Sequence, residues 1–127
     1  MKITGTDFVF LPISDFDRSE SFYAGALGLE VSKRYRGGLG GEFETGNVTI
    51  QVVDMGKLGR DVPPSTGALA LHVDDVAEAR AELEGKGIEF SEETLDSGVC
   101  FQAYFHDPDG NALILHHRYA PPGVVPS

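Results

Sequence analysis

Four histidines, His72, His106, His116 and His117, carry the widest chemical range in this chain. An imidazole titrates near neutrality, so it can act as a general acid or base, hydrogen-bond a ligand, or bind a divalent metal. His116 and His117 follow an apolar run (ALILHHR), and in a strand such neighbours point to opposite faces, so only one of them can reach a given ligand. His72 closes a second apolar run, ALALH. His106 leads into Asp107-Pro108-Asp109-Gly110, where proline presets one dihedral and glycine permits a positive one; this turn places His106 at the surface. Cys100 lies in an alternating apolar segment away from any second cysteine, which suits a half-buried side chain rather than a disulfide or nucleophile. Gly37-Gly38-Leu39-Gly40-Gly41 has the composition of a phosphate cradle, but it leads into a strand and lacks the lysine, and it reads as a flexible turn. Asp74-Asp75 and Glu92-Glu93 are adjacent carboxylates that fit helix capping and solvation. The chain has no Ser-His-Asp order and no nucleophile elbow.

The elements that position these residues come as a repeat at a period of about sixty residues. Residues 8–16 (FVFLPISDF) align with 68–76 (ALALHVDDV), and Gly46-Asn47-Val48-Thr49-Ile50 aligns with Gly110-Asn111-Ala112-Leu113-Ile114. In the first copy residues 7–14 alternate as a strand, Asp15 caps a helix over 16–27, and Gly28 ends it. Strands over 29–35, 42–45 and 48–54 follow, the last two joined by Gly46-Asn47. Residues 59–67 (GRDVPPSTG) form a linker. In the second copy Asp75 and Glu78 make a capping box, Val76, Ala79 and Leu83 an apolar stripe, and Gly87 a stop. Strands are expected over 88–90, 99–105 and 112–117.

A length of 127 residues suits one domain in which two half-units share a core. The net charge of −10 argues against nucleic acid, because phosphates are held by clustered Lys and Arg. The chain lacks both the signature of a cleaved leader and a run of about 18 apolar residues, so no membrane partner and a cytoplasmic location are expected.

On three segments, residues 14–23 (SDFDRSESFY, with Leu27-Gly28-Leu29 beyond), 72–83 (HVDDVAEARAEL) and 105–111 (FHDPDGN), the chain resembles the vicinal oxygen chelate superfamily. That superfamily includes glyoxalases, extradiol dioxygenases, fosfomycin-modifying enzymes and bleomycin-binding proteins. The resemblance implies an α+β, glyoxalase-like fold in which two βαβββ modules curl into an open β cup with the helices outside. The modules would span residues 5–58 and 67–119 of a single domain over 1–127, with an extended, loosely held tail over 120–127. It also implies a homodimer, with modules exchanged between chains as one option.

Enzymes of that superfamily hold a metal with side chains on the first and last strand of each module. Carried over, those positions fall on Phe8, Ile50, Ala68 and Ile114, none of which has a lone pair to offer a cation. Their neighbours Val9, Leu69 and Leu115 do no better, although Asp7 and Gln51 bear oxygens. No metal and no other cofactor are therefore expected. The cup would be lined instead by Phe8, Phe10 and Pro12, by Val48, Ile50 and Val52, by Ala68, Ala70 and His72, and by Ala112, Ile114, His116 and Arg118. Parallel pairing would set Ala68 level with Ile114, Ala70 with His116 and His72 with Arg118, leaving His72 and His116 as diagonal neighbours.

The expected function is metal-free binding, or sequestration, of a small apolar or aromatic molecule, with His72, His116 and Arg118 at its polar end. Two alternatives stay open. One is a metal-dependent glyoxalase- or dioxygenase-like enzyme with a displaced site on His72, His116 and a carboxylate such as Glu42 or Glu44. The other is a metal-free lyase or isomerase with His72 or His116 as its base, so the residues leave open whether the protein is catalytic.

Overall fold

The computed structural model describes residues 1–126, which divide into two compact units, Met1–Ser65 and a second that begins at Thr66. The first unit runs β1 (Phe8–Ile13), α1 (Phe16–Glu20), β2 (Glu30–Arg34), β3 (Gly40–Glu44) and β4 (Thr49–Asp54). Its strands form one sheet in the order β1-β4-β3-β2, with β1 parallel to β4 and the other pairs antiparallel.

Asp15 starts α1 as expected, its carboxylate accepting the Arg18 N–H at 3.1 Å. The helix does not stay α to residue 27. It widens into a π-helical turn over Ser21–Ala26, in which Leu27 N–H bonds to the Phe22 carbonyl at 2.9 Å, and Gly28 (φ 74°) then ends it. Phe22 and Tyr23, adjacent in sequence, are both buried, while Ala26 and Leu27 are only half-buried. Tyr23 and Phe16 stack on Phe43 at 5.2 Å and 6.2 Å between ring centroids, which makes an aromatic core under the sheet.

The Gly37–Gly41 stretch is more than a flexible turn. Gly40 and Gly41 belong to β3, where a Cβ on Gly41 would stand 2.5 Å from the Lys33 carbonyl and 2.8 Å from the Phe16 ring. A Cβ on Gly40 would meet the Val52 carbonyl oxygen at 2.0 Å. These glycines let the strand close over the aromatic core.

The second unit runs β5 (Leu69–His72), α2 (Val76–Gly85), β6 (Leu95–Asp96), β7 (Cys100–His106) and β8 (Ala112–Arg118), with sheet order β5-β8-β7-β6. Again the first and last strands are parallel. Asp75 caps α2 by accepting the Glu78 N–H at 2.9 Å, Val76 and Leu83 are buried, and Gly87 (φ 88°) follows the helix end. The strand expected over 88–90 is reduced to a single bridge between Phe90 and Phe105, and the short β6 takes the place beside β7. Phe90 packs on Phe105 at 5.0 Å, with the Arg80 guanidinium 4.7 Å from its ring centroid.

The Asp107–Asn111 turn is a buried lock. Asp107 accepts the backbone N–H groups of Asp109 and Asn111, each at 2.9 Å, and the Asn111 side-chain amide at 2.8 Å. Beyond β8 the chain is tied back to the end of that strand. The Arg118 guanidinium donates to the carbonyls of Ala120, Pro121 and Val124 at 2.8–3.1 Å, and Gly123 (φ 92°) turns the chain; Ser127 lies outside the described residues. Among the described residues no helix is long and apolar enough to cross a membrane.

Two substitutions test these locks by urea denaturation. Gly41→Ala should destabilise the protein by about 1–3 kcal/mol, because backbone and a packed ring must both move. Asp107→Ala should cost about 2 kcal/mol or more, because buried donors lose their acceptor.

Candidate functional site

Pairing decides which side chains share a face, because paired residues project to the same side of a sheet. In the first unit Val9, Leu11 and Ile13 are level with Ile50, Val52 and Asp54, and Phe43 is level with Ile50. Leu11, Phe43, Ile50 and Val52 are at most 1% exposed, so this is the face that packs on the helix. The opposite face carries Phe8 with Thr49 and Glu44 in one row and Phe10 with Gln51 and Glu42 in the next. Phe8 is 50% and Phe10 38% exposed, while the polar residues beside them are half-buried.

Two expected lining residues, Ile50 and Val52, are therefore core residues. The cause is one residue of length. Asn111 precedes Leu113, the partner of Leu69, by two positions, whereas Asn47 precedes Ile50, the partner of Val9, by three. Aligning the two Gly-Asn pairs thus puts the β4 copy out of step, and a one-residue slip exchanges faces. Thr49 and Gln51 take the places that the Gly-Asn alignment assigns to Val48 and Ile50.

A β-bulge between Val31 and Lys33 shapes the far side of this face. Ser32 donates its hydroxyl to Glu44 Oε2 at 2.5 Å, and Thr49 donates to Glu44 Oε1 at 2.6 Å. Tyr35, just beyond β2, donates to Glu42 and accepts from Gln51 Nε2 at 3.0 Å. The two hydroxyls, Ser32 first, hold the Glu44 carboxyl below its ordinary range, while burial and then the bond to Glu42 push the Tyr35 phenol up. Ser32, Tyr35 and Thr49 were not singled out in the sequence. Alternation of Glu42 with Glu44 and of Thr49 with Gln51 is the signal that finds this face once the register is known.

In the second unit the open face carries Ala70, Ile114 and Tyr104 in one row and His72, His116 and Gln102 in the next. The expected pairing is two residues off: Ala70 rather than Ala68 is level with Ile114, and His72 is level with His116 instead of diagonal to it. An even slip leaves each side chain on its expected face, which is why alternation alone does not detect it. Ala68 precedes β5 and is exposed. Tyr104 donates to Gln102 Oε1 at 3.0 Å. His72 Nε2 lies 3.2 Å from Asp74 Oδ1, and its ring is 5.8 Å from that of His117. With side-chain exposures of 68% and 99%, the His72–Asp74 pair is a weak, solvent-screened contact. Arg118 is engaged with the tail carbonyls described above.

The metal implied by the family does not fit this donor set. With the register corrected, the four positions are Phe8, Gln51, Ala68 and Ile114, and Gln51 alone among them has a donor atom. A divalent cation needs several oxygen, nitrogen or thiolate ligands. Among the described residues no group of three or more His, Cys, Asp or Glu is arranged to hold a metal.

The Glu44 hydrogen bonds set a pH dependence. A carboxyl whose folded pKa is depressed contributes stability above its unfolded pKa and loses it as pH falls through the folded value. A side-chain carboxyl NMR titration should therefore show Glu44 ionising below an ordinary glutamate, and Ser32→Ala should move it upward.

The sequence profile of the Glyoxalase/Bleomycin resistance protein/Dioxygenase superfamily matches residues 5–115. No curated protein matches the chain in sequence. Among solved structures, TnmS3, an antibiotic binding protein from a Streptomyces species, is 25% identical with a TM-score of 0.75, aligned over 93% of this chain and 98% of that one. Lactoylglutathione lyase from Agrobacterium tumefaciens is 22% identical with a TM-score of 0.74, over 91% of this chain and 95% of that one. A superfamily member from Sphaerobacter thermophilus is 21% identical with a TM-score of 0.75, over 91% and 98%. The last two similarities establish a shared glyoxalase-like α+β fold. With its profile match running through both βαβββ units, the chain belongs to the Glyoxalase/Bleomycin resistance protein/Dioxygenase superfamily.

Proposed function

We propose that this protein binds a small, partly aromatic molecule without a metal, and that the open face of the first unit is a principal contact surface. The observation that carries the reading is the pair Phe8 and Phe10, exposed on a sheet face beside a hydrogen-bonded polar band. Large aromatic side chains left in water next to ordered polar groups are the usual composition of a ligand surface. The donor set at the family's metal positions, reduced to Gln51, supports binding that relies on packing and hydrogen bonds. The similarity to an antibiotic binding protein agrees with this reading. In the second unit, Ala70, Ile114, His72 and His116 with Gln102 and Tyr104 supply a further surface, in which the small Ala70 leaves room and the imidazoles can hydrogen-bond a polar end. A cytoplasmic homodimer is part of the same proposal, to be tested by sedimentation.

Small molecules retained by protein purified from cell extract should be detectable by native mass spectrometry, and Phe8→Ala with Phe10→Ala should abolish their retention. Each single variant should weaken binding by about tenfold or more, the worth of one buried aromatic side chain. Stoichiometric Zn, Ni, Mn or Fe in chelator-free protein, lost in a Gln51→Ala or His116→Ala variant, would overturn the reading in favour of a metalloenzyme.

A further inference from the structure

The hydrogen bonds on the open face of the first unit all run in one direction. A carboxylate can only accept, so Glu42 and Glu44 fix the orientation of every group bonded to them. Tyr35 spends its hydroxyl hydrogen on Glu42, and Gln51 spends one N–H on the Tyr35 oxygen. Ser32 and Thr49 spend theirs on the two oxygens of Glu44. The hydroxyl hydrogens of this face are therefore spent, and to a ligand these groups can offer only lone pairs. Against them stand Phe8 and Phe10 on β1, two strand spacings from β3, or roughly 10 Å. One basic side chain reaches the same face: Lys33, level with Glu42, holds its ammonium 5.8 Å from the Tyr35 ring centroid. The chain's own cation is thus already drawn to the aromatic and acceptor groups gathered here.

We infer that the ligand of this face is a small organic cation, with a flat apolar body lying on Phe8 and Phe10 and an ammonium or amidinium end reaching Gln51, Glu42 and Glu44. The inference rests on the ligand-binding reading above and adds the ligand's class. An anion of the same shape would meet lone pairs and two carboxylates. A neutral analogue would keep the aromatic contact and lose the charge-assisted hydrogen bonds. Lys33 already holds a positive charge beside the Tyr35 ring on this face, so its removal should favour a cationic ligand.

Three probes with one ring system separate these possibilities: naphthylmethylammonium, naphthylmethanol and naphthoate, each titrated into the full chain and followed by amide NMR shifts. The cation should bind about tenfold tighter than the alcohol, the worth of one charge-assisted hydrogen bond, and naphthoate should bind weakest. Glu42→Gln and Glu44→Gln should each remove most of that preference, and Lys33→Met, at an exposed position, should strengthen the cation. Naphthoate binding as tightly as the cation, or a preference that survives both Gln substitutions and ignores Lys33→Met, overturns the inference. If naphthylmethanol still shifts β1 and β4 in that case, the ligand-binding proposal stands; if no probe shifts them, both fall. The same shifts produced by raising protein concentration alone would make the face a contact between copies and would also overturn it.

Discussion

Consecutive side chains of a strand leave on opposite faces, so the pairing of Val9 with Ile50 commits every residue of the first sheet at once. It sends Leu11, Ile50, Val52 and Phe43 into the aromatic core with Phe16 and Tyr23, and it leaves Phe8, Phe10, Thr49, Gln51, Glu42 and Glu44 on the other side. The apolar residues enforce the arrangement, because reversing it would bury two glutamates and a glutamine against the helix without partners. The chemistry of the open face is in this sense a by-product of core packing. Its polar residues sit where they do because their neighbours cannot be in water.

Around that commitment the structure places rigid local devices. Gly40 and Gly41 bring β3 close enough for Phe43 to reach the helix aromatics. The bulge at Ser32 re-aims the chain so that one hydroxyl reaches Glu44, and the extended backbone of Tyr35 brings a second to Glu42. None of these groups is deeply buried, so the bonds order the carboxylates more than they stabilise the fold. Order is what a binding surface needs, since a ligand meeting fixed acceptors pays less to arrange them.

Much of the architecture is legible in the sequence because strong local signals agree with each other. Asp15 and Asp75 start helices, Gly28 and Gly87 end them, and the DPDGN turn stands before the last strand. The π-helical widening at Ser21 is not legible, since it depends on how Phe22 and Tyr23 fit the sheet beneath them. The loss of a strand over 88–90 follows from Phe90 turning to pack on Phe105, again a tertiary event. Phe8, Phe10, Ala70, Ile114, His72 and His116 lie on the faces where alternation puts them, whereas Ile50 and Val52 lie on the face that packs on the helix. Similar letters at Gly46-Asn47 and Gly110-Asn111 conceal a difference of one residue in the path to the strand. The bonds from Arg118 to the tail carbonyls are not legible, because nothing in its sequence neighbours announces them.

The lock at Asp107 also bears on the order of folding. Its hydrogen bonds to Asp109 and Asn111 span at most four residues, so the chain entropy lost in closing them is small. They fix the corner between β7 and β8, whose antiparallel ladder runs from His106–Ala112 to Cys100–Arg118. That hairpin is thereby favoured as an early nucleus, while the parallel pairing of β5 with β8 must wait for a far longer loop to close. On loop-closure entropy alone, the second half of the chain would assemble from its C-terminal hairpin backwards, with the leading strand and its histidine last.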